Sequence, residues 1–292
     1  MFEVNSASEL YSTVYLHDRT TDSYVTVVPE RGGIITGIQI GDRQLLYLDR
    51  ERFANPELSV RGGIPILFPI CGNLPGDRYV WKGQEYTLPQ HGFGRNLPWT
   101  VVSSSTEGAA SLTLTLTHTP ETLTVYPFQF ELKFTYRWAG TSLIVEQQFH
   151  NHSADVMPMS IGFHPYYSVG DKELLQFDIP TQNYVDRAND VRAEFLGTWD
   201  TDLAEIDAAF EPIERGQPLV AAVSDGDRRV NLRADPYFRH LVFWTVKEKP
   251  FYCLEPWSAP RDAINSGTDL LLLDSGATLN TTLSLEFQIH QA

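Results

Sequence analysis

The sequence lacks any apolar stretch near the roughly 18 residues that a membrane-spanning helix needs. Its first twenty residues also lack the basic start and apolar run of a secretory signal peptide. Basic residues are scarce: 22 lysines and arginines face 37 aspartates and glutamates, giving a formal net charge of −15. Such a chain repels nucleic-acid phosphates and anionic lipid. We therefore expect no nucleic-acid or membrane partner, and a location in the cytoplasm.

Cysteine is almost absent. Cys71 and Cys253 lie far apart in the chain, and each has apolar neighbours. Buried thiols in such surroundings behave as small hydrophobic side chains. We expect two free, buried cysteines rather than a disulfide or a metal-binding pair.

Helical periodicity is also scarce, whereas period-two alternation of apolar and polar residues recurs along the chain. The clearest examples are residues 112–116, 130–138 and 283–289. Further strands are predicted at residues 24–28, 34–40, 143–149, 241–245 and 252–255, and one short helix at 202–210. Strands without interleaved long helices favour an antiparallel sandwich or barrel. We predict an all-β fold, with residues 1–292 forming a single domain.

Three acid–base groups lie within apolar or aromatic sequence, at His91, His164 and Glu255. Charged residues are seldom buried without a partner, so a glutamate that follows an apolar strand is informative. Pro256 restricts Glu255 to an extended conformation. The strand is therefore expected to end at Glu255, with the carboxylate at the rim of a site.

The segments at residues 91–99, 162–166 and 253–257 resemble the aldose 1-epimerase family of the galactose mutarotase-like superfamily. The resemblance extends to residues 61–65 and 126–128, and all the motifs occur in the family's order. It implies a large, twisted antiparallel β-sandwich with few short helices and a cleft lined by two histidines and a glutamate.

The resemblance also implies roles for the three groups. Glu255 would be the base that takes the C1 hydroxyl proton, and His164 the acid that protonates the ring oxygen. His91 would contact the sugar in support. An ionised carboxylate and an imidazolium suffice for this reversible ring opening, so we expect no metal and no organic cofactor.

Several other residues are candidate sugar contacts. Arg61 precedes two glycines, where a chain can approach a ligand closely, and Arg95 follows His91 by four residues. The hexose 6-phosphate branch of the family holds phosphate with arginines in comparable segments, although either arginine could instead pair with a structural carboxylate. The residues after Glu255 look closer to broad aldose epimerases. The remaining candidates are Asn73, Arg78, Asp186, Tyr166 and Trp257.

The predicted function is therefore interconversion of the α and β anomers of an aldohexose, by a monomer or dimer. The alternatives are a glucose-6-phosphate 1-epimerase, a carbohydrate-binding module without catalysis, and a metal enzyme with His91, His164 and Glu255 as ligands. A hydrolase or lyase would need a further acid or tyrosine that the sequence does not identify. The remaining histidines are interpreted as surface or structural residues: His17, His118, His150, His152, His240 and His290.

Overall fold

A computed structural model describes residues 1–289. The strands are, in chain order, β1 (Phe2–Ser8), β2 (Ser12–Asp18), β3 (Ser23–Val28), β4 (Ile34–Ile40), β5 (Arg43–Gln44), β6 (Ile66–Leu67), β7 (Arg78–Trp81), β8 (Gln84–Thr87), β9 (Thr100–Ser105), β10 (Ala110–Thr117), β11 (Phe130–Ala139), β12 (Ser142–Asn151), β13 (Met157–Met159), β14 (Gly162–Phe163), β15 (Tyr166–Ser168), β16 (Leu175–Asp178), β17 (Asn183–Asp186), β18 (Val191–Glu194), β19 (Glu205–Phe210), β20 (Leu219–Asp225), β21 (Arg228–Ala234), β22 (His240–Val246), β23 (Phe251–Trp257), β24 (Leu271–Leu273) and β25 (Thr278–Ile289). The helices are α1 (Arg50–Ala54), α2 (Pro120–Val125) and α3 (Ala263–Ser266), with 3₁₀ turns at Pro29–Arg31, Pro75–Asp77 and Lys172–Leu174.

Two large antiparallel sheets dominate the fold. Sheet 1 has the strand order β16-β20-β21-β25-β12-β11-β10-β9. Sheet 2 has the order β18-β17-β19-β22-β23-β14-β6, with β15 also paired to β23. A third sheet runs from β1 to β5 in sequence order, and β13–β24 and β7–β8 form two small ribbons. This is the all-β antiparallel sandwich that the sequence predicts.

Alternating side chains explain why these segments form strands. In β11 the apolar residues are buried and the intervening ones lie towards solvent, as the predicted register requires. Phe134 and Trp138, for example, join a continuous apolar core that extends from Val14 to Phe287. Burying one such large side chain stabilises the fold by about 1.5–3 kcal/mol. The strands predicted from alternation are all confirmed, within a few residues at their ends.

The helix predicted over residues 202–210 is wrong. Residues 201–204 form turns, and β19 then pairs with both β17 and β22. The apolar residues Ile206, Ala208 and Phe210 are buried at a spacing of two, the spacing of a strand. The correction moves Asp207 from a predicted helix into the middle of sheet 2.

The predicted end of β23 at Glu255 is also wrong, because the strand continues to Trp257 and Pro256 pairs with Leu241. Proline holds the preceding residue in an extended conformation, which a strand also requires. All seven residues of β23 are buried. Glu255 therefore lies in the interior of sheet 2 rather than at a rim.

Both cysteines are free and buried, as predicted. No helix within residues 1–289 is long and apolar enough to cross a membrane.

Candidate active site

Sheet 2 gathers chemically active side chains on one face. Residues paired across antiparallel strands point to the same side of a sheet. Asp207 pairs with Trp244, Trp244 with Cys253, and Cys253 with Tyr166, so these four residues form one row across the sheet. Glu255 lies two residues beyond Cys253 on the same face.

A cleft of about 380 Å³ opens on this face. Its lining residues are Arg52, Ser59, Val60, Arg61, Gln90, His91, Arg95, His164, Tyr166, Glu205, Asp207, Trp244, Glu255, Trp257 and Arg261. The cleft thus brings the three acid–base residues of the sequence prediction together, although they lie in three separate segments of the chain.

Glu255 lies at the bottom of the cleft and is only 1 % exposed. Its Oε2 accepts a hydrogen bond from the Trp257 indole at 3.1 Å. Its Oε1 lies 3.4 Å from the Nε2 of His164. Burial, together with the nearby Asp207 carboxylate, raises the pKa of Glu255 well above its ordinary value. The protein therefore favours the neutral acid at this position.

His164 lies between β14 and β15, where its amide donates to the Pro65 carbonyl. Its imidazole stacks on Tyr166, with ring centroids 4.6 Å apart and planes 6° apart. Its Nδ1 is buried and has no hydrogen-bond partner within residues 1–289. Burial, followed by the charge of Arg95, lowers the pKa of His164 well below its ordinary value. The protein therefore favours the neutral imidazole.

A protonated Glu255 and a neutral His164 together hold one proton. Transfer of that proton to the imidazole would give the carboxylate and imidazolium expected from the sequence, with no change in total charge. The two groups therefore titrate as a pair rather than one by one. With its single proton, the pair can serve as acid and base at once.

His91 is fixed by a double contact with Gly72. The Gly72 amide donates to the His91 Nδ1 at 3.0 Å, and the His91 amide donates to the Gly72 carbonyl at 2.7 Å. Because Nδ1 is an acceptor, the proton of the neutral ring lies on Nε2. Burial, aided by Arg95, lowers the pKa of His91 well below its ordinary value, which favours this neutral form. His91 therefore has the chemistry of a fixed hydrogen-bond donor.

The loop that carries His91 is held in an unusual backbone conformation. His91 has φ of +65°, a region that few residues other than glycine adopt. Gly92 follows at +67°, and a Cβ there would lie 2.3 Å from the Phe68 carbonyl oxygen. Only glycine at position 92 allows the loop to come this close to the core, which fixes the position of His91.

Arg61 and Arg95 both line the cleft. Arg95 donates from Nη2 to the Gln90 carbonyl at 2.8 Å, and its buried Nε has no partner. Arg61 is exposed. The glycines after Arg61 serve a different purpose from the one expected, because a Cβ on Gly62 would lie 2.5 Å from the Cα of Leu48. Their close approach is to the chain itself and not to a ligand.

Asp207 and Arg261 are cleft residues that the sequence prediction missed. Arg261 donates from Nη2 to Asp207 Oδ2 at 2.7 Å, whereas Asp207 Oδ1 and Arg261 Nε are buried without partners among the described residues. Because residues 202–210 were predicted to form a helix, Asp207 was not recognised as a candidate site residue. The alternation of the apolar residues in β19 was the available signal, since it places Asp207 on the opposite face.

The structure places Asn73, Arg78 and Asp186 outside the cleft, although the sequence suggested them as sugar contacts. Arg78 is exposed and forms an ion pair with Glu85 at 3.4 Å, as expected for a hairpin residue. Asp186 accepts hydrogen bonds from the Ala188 amide and the Asn189 side chain in a local turn. Asn73 is exposed and absent from the lining.

Tyr166 and Trp257 do line the cleft, and each already contacts the acid–base groups. Tyr166 supports the His164 ring, and Trp257 donates to Glu255. Their predicted stacking on a sugar ring stays a prediction.

The two-histidine metal site considered from the sequence does not match the geometry. The Nδ1 of His91 accepts a hydrogen bond from the Gly72 amide, so the ring proton lies on Nε2 and neither nitrogen is free to bind a metal. Within residues 1–289 the cluster suited to a metal is instead His164, Cys253 and Glu255. Of the other histidines, His240 is buried and its Nε2 lies 2.9 Å from Asp269, which confirms a structural position. His290 lies outside the described residues.

Comparison with known proteins places this site in a family. The family described as aldose 1-epimerase matches residues 16–286. The plasmid-encoded LacX protein of Lactococcus lactis is 30 % identical over 276 residues, which cover 85 % of this chain and 90 % of LacX. A protein of Escherichia coli K12, provisionally named as a glucose-6-phosphate 1-epimerase, is 27 % identical over 157 residues, covering 53 % of this chain and 49 % of that protein.

Among solved structures, the Slr1438 protein from Synechocystis sp. PCC 6803 is 38 % identical and superimposes with a TM-score of 0.93, covering 99 % of this chain and 100 % of that chain. The family match spans nearly the whole sequence and includes all three acid–base residues. The chain therefore belongs to the aldose 1-epimerase family and is a sugar isomerase.

Proposed function

We propose that the protein is a mutarotase that interconverts the α and β anomers of an aldohexose. The observation that carries the proposal is the buried His164–Glu255 pair, 3.4 Å apart at the bottom of a polar cleft. The hydroxyl oxygen and the ring oxygen of a hemiacetal share one carbon, so two adjacent groups can reach both oxygens. A base for one and an acid for the other are what ring opening requires.

The reaction starts from the form with Glu255 ionised and His164 protonated. Glu255 accepts the proton of the C1 hydroxyl while His164 delivers its proton to the ring oxygen. The C1–ring oxygen bond breaks with its electron pair going to that oxygen, and a C1 carbonyl forms. Rotation about the adjacent carbon–carbon bond presents the other carbonyl face, and both proton transfers then reverse.

The remaining polar groups stabilise charge and hold the sugar. His91 donates from Nε2 and would stabilise an oxygen as its charge changes. Asp207 and Arg261 form an ion pair within the cleft lining and are further candidates to bind sugar hydroxyls. None of these steps consumes a cofactor.

Anomer-exchange NMR with glucose and galactose tests this proposal directly. Enzyme should speed exchange between the α and β signals above the rate in buffer alone. A carbohydrate-binding module would instead shift or broaden sugar signals without raising the exchange rate. Absence of exchange with every neutral and phosphorylated hexose would contradict the proposal.

A hexose phosphate is the second candidate substrate, and the arginines of the cleft favour it. Four arginines line the cleft of a protein with net charge −15: Arg52, Arg61, Arg95 and Arg261. Within residues 1–289, Arg52 and Arg61 form no ion pair with a carboxylate. Guanidinium groups of this kind suit phosphate oxygens.

The two substrates can be separated by comparing glucose with glucose 6-phosphate in Arg61→Ala and Arg52→Ala. If a phosphate binds there, each variant should raise KM for the phosphorylated sugar more than for glucose, and added salt should reduce the wild-type preference. Equal changes for both sugars would favour a neutral substrate. The monomeric or dimeric state, the cytoplasmic location and the single domain stay predictions from the sequence.

A further inference from the structure

We propose that Cys253 completes a three-ligand site with His164 and Glu255 that binds Zn²⁺, and that the bound ion inhibits the enzyme. Ion binding follows from geometry and ligand chemistry alone. Only its inhibitory effect rests on the proposed function, because the ion would occupy the groups that transfer protons.

The positions of the ligand atoms fit a tetrahedral ion. Zn²⁺ forms bonds of about 2.0–2.2 Å to nitrogen and oxygen, which separate two such ligands by about 3.4 Å at a tetrahedral angle. The observed distance from His164 Nε2 to Glu255 Oε1 is 3.4 Å. These two side chains therefore already stand at the separation of two zinc ligands.

Cys253 is the third member of the cluster. Its Sγ, the His164 nitrogen and the Glu255 oxygen all lie within 4.8 Å of one another. A zinc–sulfur bond of about 2.3 Å requires a sulfur-to-nitrogen separation of about 3.6 Å. The sulfur must therefore approach by at most about 1.2 Å, a shift that the three side chains can share, and the cleft leaves the fourth position for water.

The donor set selects for a thiophilic ion. Thiolate and imidazole are preferred ligands of zinc, whereas magnesium and calcium require six or more oxygen ligands. Binding would release the Cys253 thiol proton, and the Glu255 proton where present, to solvent. The thiolate and the carboxylate would then balance the two charges of the ion.

Nearby charges make the thiol decisive. The guanidinium group of Arg95 acts on Glu255 and opposes an added cation, whereas the charge of Arg261 is balanced by its ion pair with Asp207. Glu255 and neutral His164 alone would leave one positive charge of the ion uncompensated beside Arg95. The Cys253 thiolate removes that excess, so its loss should weaken binding strongly.

Cys253 has no part in the proposed proton transfers and does not line the cleft. It is fully buried and packs with Tyr166 and Phe251 beside the acid–base pair. Cys253→Ser can therefore test the metal site without removing an acid or a base. Cys71→Ser is the matched control, since Cys71 is the other free, buried cysteine and is outside the metal cluster.

The experiment uses chelator-treated full-length protein, titrated with Zn²⁺ by calorimetry and assayed for anomer exchange, and titrated with Co²⁺ by absorption spectroscopy. Wild type and Cys71→Ser should bind one Zn²⁺ and lose activity. Their Co²⁺ complexes should show tetrahedral bands and a thiolate-to-metal charge-transfer band. Cys253→Ser should lack the charge-transfer band and bind Zn²⁺ at least about 10-fold more weakly, given that even outer-shell changes cost 10–100-fold. Mg²⁺ should have no effect.

Absence of Zn²⁺ binding to wild type, or equal binding and unchanged spectra in Cys253→Ser, would overturn the proposal. Saturating Zn²⁺ with unchanged or increased anomer exchange would overturn its inhibitory part. A protein that binds Zn²⁺ through Cys253 but never exchanges anomers would sustain the metal site and contradict only the proposed function.

Discussion

Two polar clusters in this protein differ in how fully their groups are paired. Around Asp269, one carboxylate oxygen accepts hydrogen bonds from Arg239 and Arg215, and the other lies 2.9 Å from His240. Among the cleft residues, four atoms are buried with no partner in the part of the chain that the structure describes. They are His164 Nδ1, Arg95 Nε, Asp207 Oδ1 and Arg261 Nε.

The Asp269 cluster is a paired structural cluster, whereas the second cluster belongs to the candidate active site. Buried polar groups are normally hydrogen-bonded, because an unmet bond costs about 1–3 kcal/mol. The Asp269 cluster meets that requirement and stabilises the fold. The cleft lining leaves it unmet at four atoms with almost no exposed surface, which makes this cluster less stabilising than a fully paired one. A buried histidine beside a carboxylate is therefore insufficient to identify a site, since both clusters contain one.

The largest expected effect is on catalysis. Glu255→Gln removes the base and His164→Asn the acid, and each should lower kcat by about 10²–10⁴-fold, the usual contribution of one general catalyst. The double variant should lose less than the product of the two, because both groups serve one proton-transfer step. His91→Asn should cost less, since His91 is proposed to donate a hydrogen bond and not to transfer a proton.

These activities should be measured by anomer exchange above the rate in buffer, with folding checked by circular dichroism. His240→Asn is the matched control from the structural cluster and should retain wild-type kcat. Wild-type activity in folded Glu255→Gln would refute the mechanism.

A smaller kinetic effect is expected at Arg95. Arg95→Ala removes a half-buried guanidinium that lines the cleft and whose Nε has no partner within residues 1–289. Loss of one charged hydrogen bond, about 1.5–3 kcal/mol, should lower kcat/KM by about 10–150-fold. Saturation kinetics with glucose and glucose 6-phosphate provide the measurement. Unchanged kcat and KM for both sugars would exclude Arg95 from substrate binding, and the same criterion applies to Arg61.

The structural cluster should show the opposite behaviour, a loss of stability without a loss of catalysis. Asp269→Asn removes the negative charge and replaces one of the two acceptor oxygens with an NH2 group, so one side of the cluster loses its acceptor, and the free energy of unfolding should fall by about 1–3 kcal/mol. Denaturant titration measures that change, and anomer exchange of the folded fraction should match wild type. A variant as stable as wild type but catalytically impaired would reverse the assignment of the two clusters.

The smallest expected effect is a gain in stability that depends on pH. Folding raises the pKa of Glu255, so the unfolded chain, with an ordinary pKa of about 4.3, ionises first as the pH rises. Stability from this group is present below that value and is lost as the pH rises through the raised pKa. Glutamine stays neutral, so Glu255→Gln should be more stable than wild type, by a margin that widens with pH.

Thermal unfolding at several values between about pH 5 and pH 8 checks this, with Tm rising by about 2–4 °C for each kcal/mol recovered. Asp269→Asn, measured in parallel, should have a lower Tm than wild type. A Glu255→Gln margin that stays constant across this pH range would show that burial of the carboxyl does not control its charge.

Much of the fold could be predicted from local pattern. The alternation in residues 130–138 and 283–289 requires strands, because only a period of two places all the apolar side chains on one face. The helix predicted over residues 202–210 was wrong because a short polar segment precedes β19 and obscures the alternation of apolar and polar residues within that strand. The predicted end of β23 at Glu255 was wrong for a related reason. Pro256 gives Glu255 a local preference for extended backbone, and that preference fits both the end and the interior of a strand.

The sequence by itself determined the family and the candidate acid–base residues, because His91, His164 and Glu255 lie in motifs whose order along the chain resembles one family. Tertiary structure decided what surrounds them. Strand pairing placed Asp207 and Cys253 in one row of sheet 2, and Arg261 against Asp207, although the chain separates them widely. Burial then set the charge of the pair, since desolvation depends on what packs around a group in three dimensions rather than on its neighbours in the chain.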